Sequence, residues 1–245
     1  DIETGCWPPQ QTCVGYYGIP LRGSPHGFVI PLYDQFKEDG CYWTEEDHVE
    51  VMKLVGEIND SDAVKAFQNG AYDNSYFIRD RVPTRNWLLD TQHLWHSVYP
   101  ELRKSLDFIS SILFDEYQYW KTDIKGIESD DVSRRDTDME RYWRYNALDC
   151  YYTAWGALLL WRIVNAREQY RTNYRDEMFR VFSGLAMSMR GIKANFARRE
   201  EYRAELSAER KKRLRRLRFL ISEPAFNPES SQQKLSLLYD CLGCQ

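Results

Sequence analysis

The chain has 245 residues, with 33 basic and 37 acidic side chains and a formal net charge of −4 at neutral pH. That length buries a sizeable core, as one large domain or as one domain with an appendage. No apolar run reaches 18 residues and no secretory signal is present, which argues against a membrane-spanning helix, and six cysteines scattered at 6, 13, 41, 150, 241 and 244 read as reduced cytosolic thiols rather than a disulfide framework.

Asp1-x-Glu3 opens the chain on a strand, where alternate residues share one face. The aromatic and β-branched segments Thr12 to Pro20 and His26 to Leu32, split by a Gly, Ser and Pro turn, predict a hairpin that extends the same sheet. Thr44 followed by Glu45, Glu46 and Asp47 supplies a cap oxygen and acidic groups at the positive end of a helix. Ala63 to Phe67 predicts a buried strand, turning at Asn69-Gly70 into a helix that carries Asp73.

A strand at Trp87 to Asp90 follows, then helices near Thr91 to Tyr99 and Ser105 to Phe114. Lys121 to Asp138 has no periodicity and predicts a solvent-exposed loop. Arg141 to Arg162 lacks Pro and is rich in Leu, Trp and Ala, so it predicts a long helix with Asp149 in its middle, facing inward beside Tyr145. Beyond Trp161 the pattern is helical. Arg198 to Arg218 holds ten basic and four acidic residues, a helix able to follow a nucleic-acid backbone by charge; Glu223-Pro224 ends it, and Ser230 caps a last short helix. The fold class is α/β, a mixed sheet flanked by helices as in the RNase H-like architecture, followed by a helical segment.

Charge divides the chain. Residues 1–175 carry 19 basic and 28 acidic side chains and residues 176–245 carry 14 and 9, which reads as an acidic body that concentrates metal ions and a basic tail that meets phosphates. Cys241-x-x-Cys244 lacks a second pair at zinc spacing, and His93-x-x-His96 lacks a carboxylate at an expected ligand spacing, so packing or surface is the expected role of the histidines.

Three short motifs carry the chemistry: Asp1-x-Glu3, Asn69-x-x-x-Asp73 and Tyr145-x-x-x-Asp149. Residues four apart share a helix face, so the set offers four carboxylates and a phenol, the inventory for holding two divalent cations against a phosphodiester. Each motif alone is common by chance, and each member has a bland reading as a solvated terminus, a surface carboxylate or a core aromatic; order and context carry the signal. Trp7, Tyr72, Tyr76 and Phe77 are candidates for stacking on frayed bases, although aromatics at helical spacing are more often core.

These motifs resemble the DEDD exonuclease superfamily in its tyrosine-bearing branch, as in the proofreading domain of family A DNA polymerases. The histidine branch places His where this chain has Arg144, whereas the tyrosine branch places Tyr where it has Tyr145. Tyr99 to Leu106 with Tyr119-Trp120-Lys121 resembles the stretch between the second and third motifs of phage-like members. Met189 to Asn195 and Phe226 to Gln233, with Leu238, Leu242 and Gly243, resemble the entry to a polymerase thumb, so the likeness covers essentially the whole chain.

The resemblance implies an exonuclease domain over residues 1–175 and a connector leading into a truncated thumb over 176–245. It implies two Mg²⁺ or Mn²⁺ ions held by Asp1, Glu3, Asp73 and Asp149, with Tyr145 orienting the attacking water. It further implies that Asn69, joined by Tyr76 and Phe77, contacts the terminal nucleotides, and that the product is a nucleoside 5′-monophosphate released from a DNA 3′ end. The implied partners are a single-stranded 3′ end or primer-template and the rest of a polymerase chain, in a bacterial or phage-infected cytoplasm or an organelle, with no membrane. Two departures accompany the likeness. The hydrophobic residues expected before Asp1 are missing, as in a fragment, and no polymerase palm or fingers motif is present, so polymerisation is not expected of these residues. An RNase D-like exoribonuclease and a non-catalytic DNA-binding scaffold of a replication assembly are the competing readings.

Overall fold

A computed structural model describes residues 2–5, 10–33, 40–120 and 139–243, the side chains of residues 2–5 and 10 excepted. Asp1, Trp7, Cys6, Cys244 and the Lys121 to Asp138 loop therefore lie outside the described residues. The protein is mixed α/β and mainly helical. It divides into two compact units, residues 1–190 and 191–245.

The first unit begins with β1 (Ile2–Gly5), β2 (Gln10–Gly18) and β3 (His26–Pro31), an antiparallel sheet in the order β1-β2-β3. Ile2 pairs with Val14 and Glu3 with Cys13, and the register slips between Glu3 and Thr4. The expected hairpin is thus present. A second ladder joins β4 (Lys65–Phe67) and β5 (Trp87–Asp90) in parallel. Among the described residues the strands form these two ladders rather than one continuous mixed sheet.

Helix α1 (Glu45–Asp60) starts where the acidic run predicts, with Thr44 Oγ1 accepting from Asp47 N. Its last turn is anchored by Asn59, 1% exposed. The Asn59 amide donates to Val82 O and its Oδ1 accepts from the Tyr16 hydroxyl of β2. That pair of bonds is the satisfaction a buried amide needs.

Helix α2 (Ala71–Arg79) joins β4 to β5, and α3 (Thr91–Val98) and α4 (Leu106–Leu113) follow. Helix α5 (Met139–Asn165) is the long helix that Arg141 to Arg162 predicts, and it packs on all five strands and on α3 and α4. Its close seat on β2 depends on Gly15. A Cβ there would meet Asn146 Oδ1 at 1.8 Å and Cys150 Sγ at 2.7 Å, far inside van der Waals contact.

Helix α6 (Glu168–Arg190) crosses position 175 without a break and packs on α3, α5 and α2. The Tyr174 hydroxyl pins it to β5, donating to Leu88 O and accepting from Asp90 N. Gly191, at φ 65°, ends it in the left-handed conformation that glycine adopts without strain. The main core gathers Val14, Val55, Phe67, Phe77, Leu94, Trp95, Ile109, Leu160 and Val164; burial of a side chain of this size contributes about 1.5–3 kcal/mol.

The second unit consists of α7 (Phe196–Leu220), α8 (Ser231–Leu235) and a π-helical turn, Ser236–Cys241. Asn195 caps α7 and Ser230 caps α8. No residue of α7 is buried, and glutamates pair with Arg198, Arg199, Arg203 and Arg213 along it. No described helix is long and apolar enough to cross a membrane.

Candidate functional site

The turn before α2 places the second motif. Asn69 is exposed and sits at φ 58°, a left-handed conformation that asparagine tolerates better than most residues. At Gly70 a Cβ would stand 2.5 Å from Phe67 Cβ and 2.8 Å from Trp87 Cζ2, so glycine is required by close approach. Asp90 holds this turn from β5: its carboxylate accepts from Asn69 N and Gly70 N, and also from Gln92 N and His93 N at the start of α3. Burial pushes the Asp90 carboxyl above its ordinary pKa, and His93 and the backbone donors oppose that rise.

One turn into α2, Asp73 is 2% exposed. On α5, Asp149 is 8% and Tyr145 9% exposed, one helical turn apart. The two carboxylates come from helices distant in sequence. Burial is the main cause that pushes the Cys150 thiol up; the charge of the amino terminus opposes it, and those of Asp149 and Asp73 add smaller rises.

The indole Nε1 of Trp120 donates to Asp149 Oδ1 at 2.7 Å in a buried setting. Trp120 in turn stacks on Tyr152, ring centroids 4.3 Å apart at 15°. Tyr145 belongs to the same small buried cluster as Leu106, Trp120 and Tyr152. Trp120 stands in the Tyr119-Trp120-Lys121 stretch of the resemblance, but nothing local marks its bond to Asp149, which spans 29 residues. Asp90 did leave a local signal, an aspartate immediately before a helix.

The other candidates separate by burial. Tyr76 is buried, its ring 5.2 Å from that of Tyr72 and beneath the Arg79 guanidinium at 4.5 Å, while Tyr72 is largely exposed. Phe77, 1% exposed, is part of the main core. His93 and His96 both turn Nδ1 toward Glu177 of α6, at 3.4 and 3.5 Å, a carboxylate that lies far along the sequence from both, and Arg180 also pairs with Glu177. The backbone of Glu3 is placed by its pairing with Cys13.

Asp73 and Asp149 offer hard oxygen donors of the kind Mg²⁺ and Mn²⁺ prefer. Burying a carboxylate costs several kcal/mol per ion unless opposite charge or hydrogen bonds offset it. Among the described residues, no three His, Cys, Asp or Glu side chains form a group able to hold a metal ion; Asp1 and the side chain of Glu3 are outside that set. The described residues therefore offer two buried carboxylates on α2 and α5, a phenol one turn from Asp149 and an exposed amide just before α2. No known family model matches this chain, and no curated protein is similar to it.

Proposed function

We propose that the chain is a metal-dependent 3′→5′ exonuclease, the proofreading domain of a family A DNA polymerase. The observation that carries the reading is that Asp73 and Asp149 are both buried carboxylates, carried by separate helices of the first unit. Such a pair is electrostatically costly by itself and is relieved by a divalent cation. The strand pattern supports it as well. An antiparallel β1-β2-β3 ladder and a parallel β4-β5 ladder are pairings of the kinds that an RNase H-like sheet contains.

In this reading Asp73 and Asp149, with Asp1 and Glu3, hold two Mg²⁺ or Mn²⁺ ions, which supply Lewis-acid activation of water and stabilisation of the leaving 3′ oxygen. The Tyr145 hydroxyl orients the attacking water. Asn69, exposed at the mouth of α2, contacts the terminal nucleotides, with Tyr72 beside it as an open aromatic face. Tyr76 supports Tyr72 from beneath, and Phe77 anchors α2 in the core. The basic α7 meets the nucleic-acid backbone by charge.

The test is incubation of the chain with 5′-labelled single-stranded DNA or RNA, with Mg²⁺ or with chelator, beside Asp73→Ala and Asp149→Ala. A Mg²⁺-dependent ladder shortening from the DNA 3′ end, lost by about 10³-fold in either variant, is expected from several kcal/mol of lost charge stabilisation. Preference for RNA would assign the chain to the RNase D-like class. Cleavage of neither substrate, or full activity in the variants, would remove the enzyme reading and leave the scaffold.

A further inference from the structure

Trp120 sits where a metal ligand needs an outer hydrogen bond, and we propose that it is a positioning residue that holds the Asp149 carboxylate in a fixed orientation for cation binding. This rests on the exonuclease reading of the site. The bond from Nε1 to Asp149 Oδ1 is 2.7 Å long, at the short end for an N–H donor to an ionised oxygen. Both partners are buried, Trp120 at 4% and Asp149 at 8% exposure, so bulk water competes little for the carboxylate.

The ring is clamped by the same helix to which it donates. Tyr152 lies three residues beyond Asp149 on α5, so the two share a helix face. The Trp120 ring stacks on Tyr152, and Tyr117 borders both rings, its centroid 5.8 Å from that of Trp120 and 6.0 Å from that of Tyr152. Donor and acceptor are thereby fixed to one rigid element. A carboxyl torsion is otherwise broad and roughly two-fold, so a fixed donor narrows the orientations open to Asp149.

An indole offers one N–H and no acceptor, and a carboxylate has about four lone-pair sites. Trp120 therefore fixes one of these, without being able to take a proton or bind the ion. Outer-shell partners of metal ligands typically govern about 10–100-fold in metal affinity or activity. A tryptophan that merely fills space would govern none of it.

The experiment compares the chain with Trp120→Phe, which keeps an aromatic ring on Tyr152 and removes the donor. Mn²⁺ affinity is measured by electron paramagnetic resonance, and the Mg²⁺ dependence of 3′-end cleavage by gel. The expected result is about 10–100-fold weaker Mn²⁺ binding, with the KM for DNA unchanged and kcat recovered at saturating metal. Wild-type Mn²⁺ affinity and Mg²⁺ dependence in Trp120→Phe overturn the positioning role and leave the exonuclease reading standing. A parent chain that neither binds Mn²⁺ nor cleaves DNA overturns both. If Trp120→Phe fails to fold, benzothienylalanine at position 120 decides the question, since it keeps the bicyclic shape and lacks only the N–H.

Discussion

Gly15 of β2 and Asn146 of α5 meet with no room for a methyl group between them, the built Cβ lying 1.8 Å from Asn146 Oδ1. Asn146 is fully buried and has nowhere to swing. Gly15→Ala should therefore push α5 away from the sheet and destabilise the chain by about 1–3 kcal/mol, the usual cost of overpacking. Because Asp149 and Cys150 ride on the same turn of α5, cleavage should fall as well. Urea denaturation checks the first point; an unchanged midpoint would show that the contact relaxes freely.

Divalent cations should stabilise the fold through the site carboxylates. Mass action gives about 2.7 kcal/mol at a free Mg²⁺ concentration 100 times its Kd. Thermal unfolding with Mg²⁺ and with chelator should show an upward shift in Tm for the parent chain and none for Asp73→Asn or Asp149→Asn. An equal shift in all three would place the cation elsewhere.

Tyr174→Phe removes a hydroxyl that serves both Leu88 O and Asp90 N at the end of β5. The Asp90 amide loses its partner in a buried place and the Leu88 carbonyl in a partly buried one; an unsatisfied buried group costs about 1–3 kcal/mol. The expected outcome is a lower denaturation midpoint together with faster proteolysis after α5, where α6 is released from the body. Loss of stability without any change in proteolysis would mean that α6 is held mainly by its contacts with α3.

Thiol reactivity should follow burial. Cys13 and Cys150 are buried, whereas Cys41 and Cys241 are exposed, and burial disfavours the Cys150 thiolate. Iodoacetamide on the native chain at pH 8, read by peptide mass spectrometry, should modify Cys41 and Cys241 and spare the other two. Prompt labelling of Cys150 would contradict the close seat of α5.

Alkali should loosen the aromatic cluster. The Tyr117 phenol is pushed up to about 12 from 10.0, first by burial and then by the charge of Asp107 and the neighbouring Tyr119 and Tyr152. A raised folded-state pKa means that the stabilising contribution is complete below pH 10 and is lost as pH rises from there through about 12. Denaturation midpoints of the parent chain should fall over that window, and part of the fall should disappear in Tyr117→Phe. Identical pH profiles would exclude this residue.

Local signals were the legible part of the fold. Trp87–Asp90 reads as a strand, and β5 occupies those residues. Thr44 and Ser230 likewise mark helix starts that depend on one side-chain oxygen each. Position 175 is a break in charge, a surface property, whereas the compact unit extends to Arg190 because Tyr174 and Met178 of α6 are buried in its core. At the site, the burial of Asp149 and Tyr145 on one face of α5 followed from spacing four residues apart. The Trp120 bond and the pairing of His93 and His96 with Glu177 did not, since each joins segments that only the tertiary fold brings together.

Asp90 gives the site a collective dynamic. One carboxylate receives the amides of Asn69, Gly70, Gln92 and His93, so the entry to α2 and the first turn of α3 hang from a single group. Neither can fray without releasing the other. Their amide protons should exchange with solvent at a common rate, as one cooperative opening unit, and Asp73, a few residues into α2, inherits the stillness of a strand end rather than the looseness of a turn.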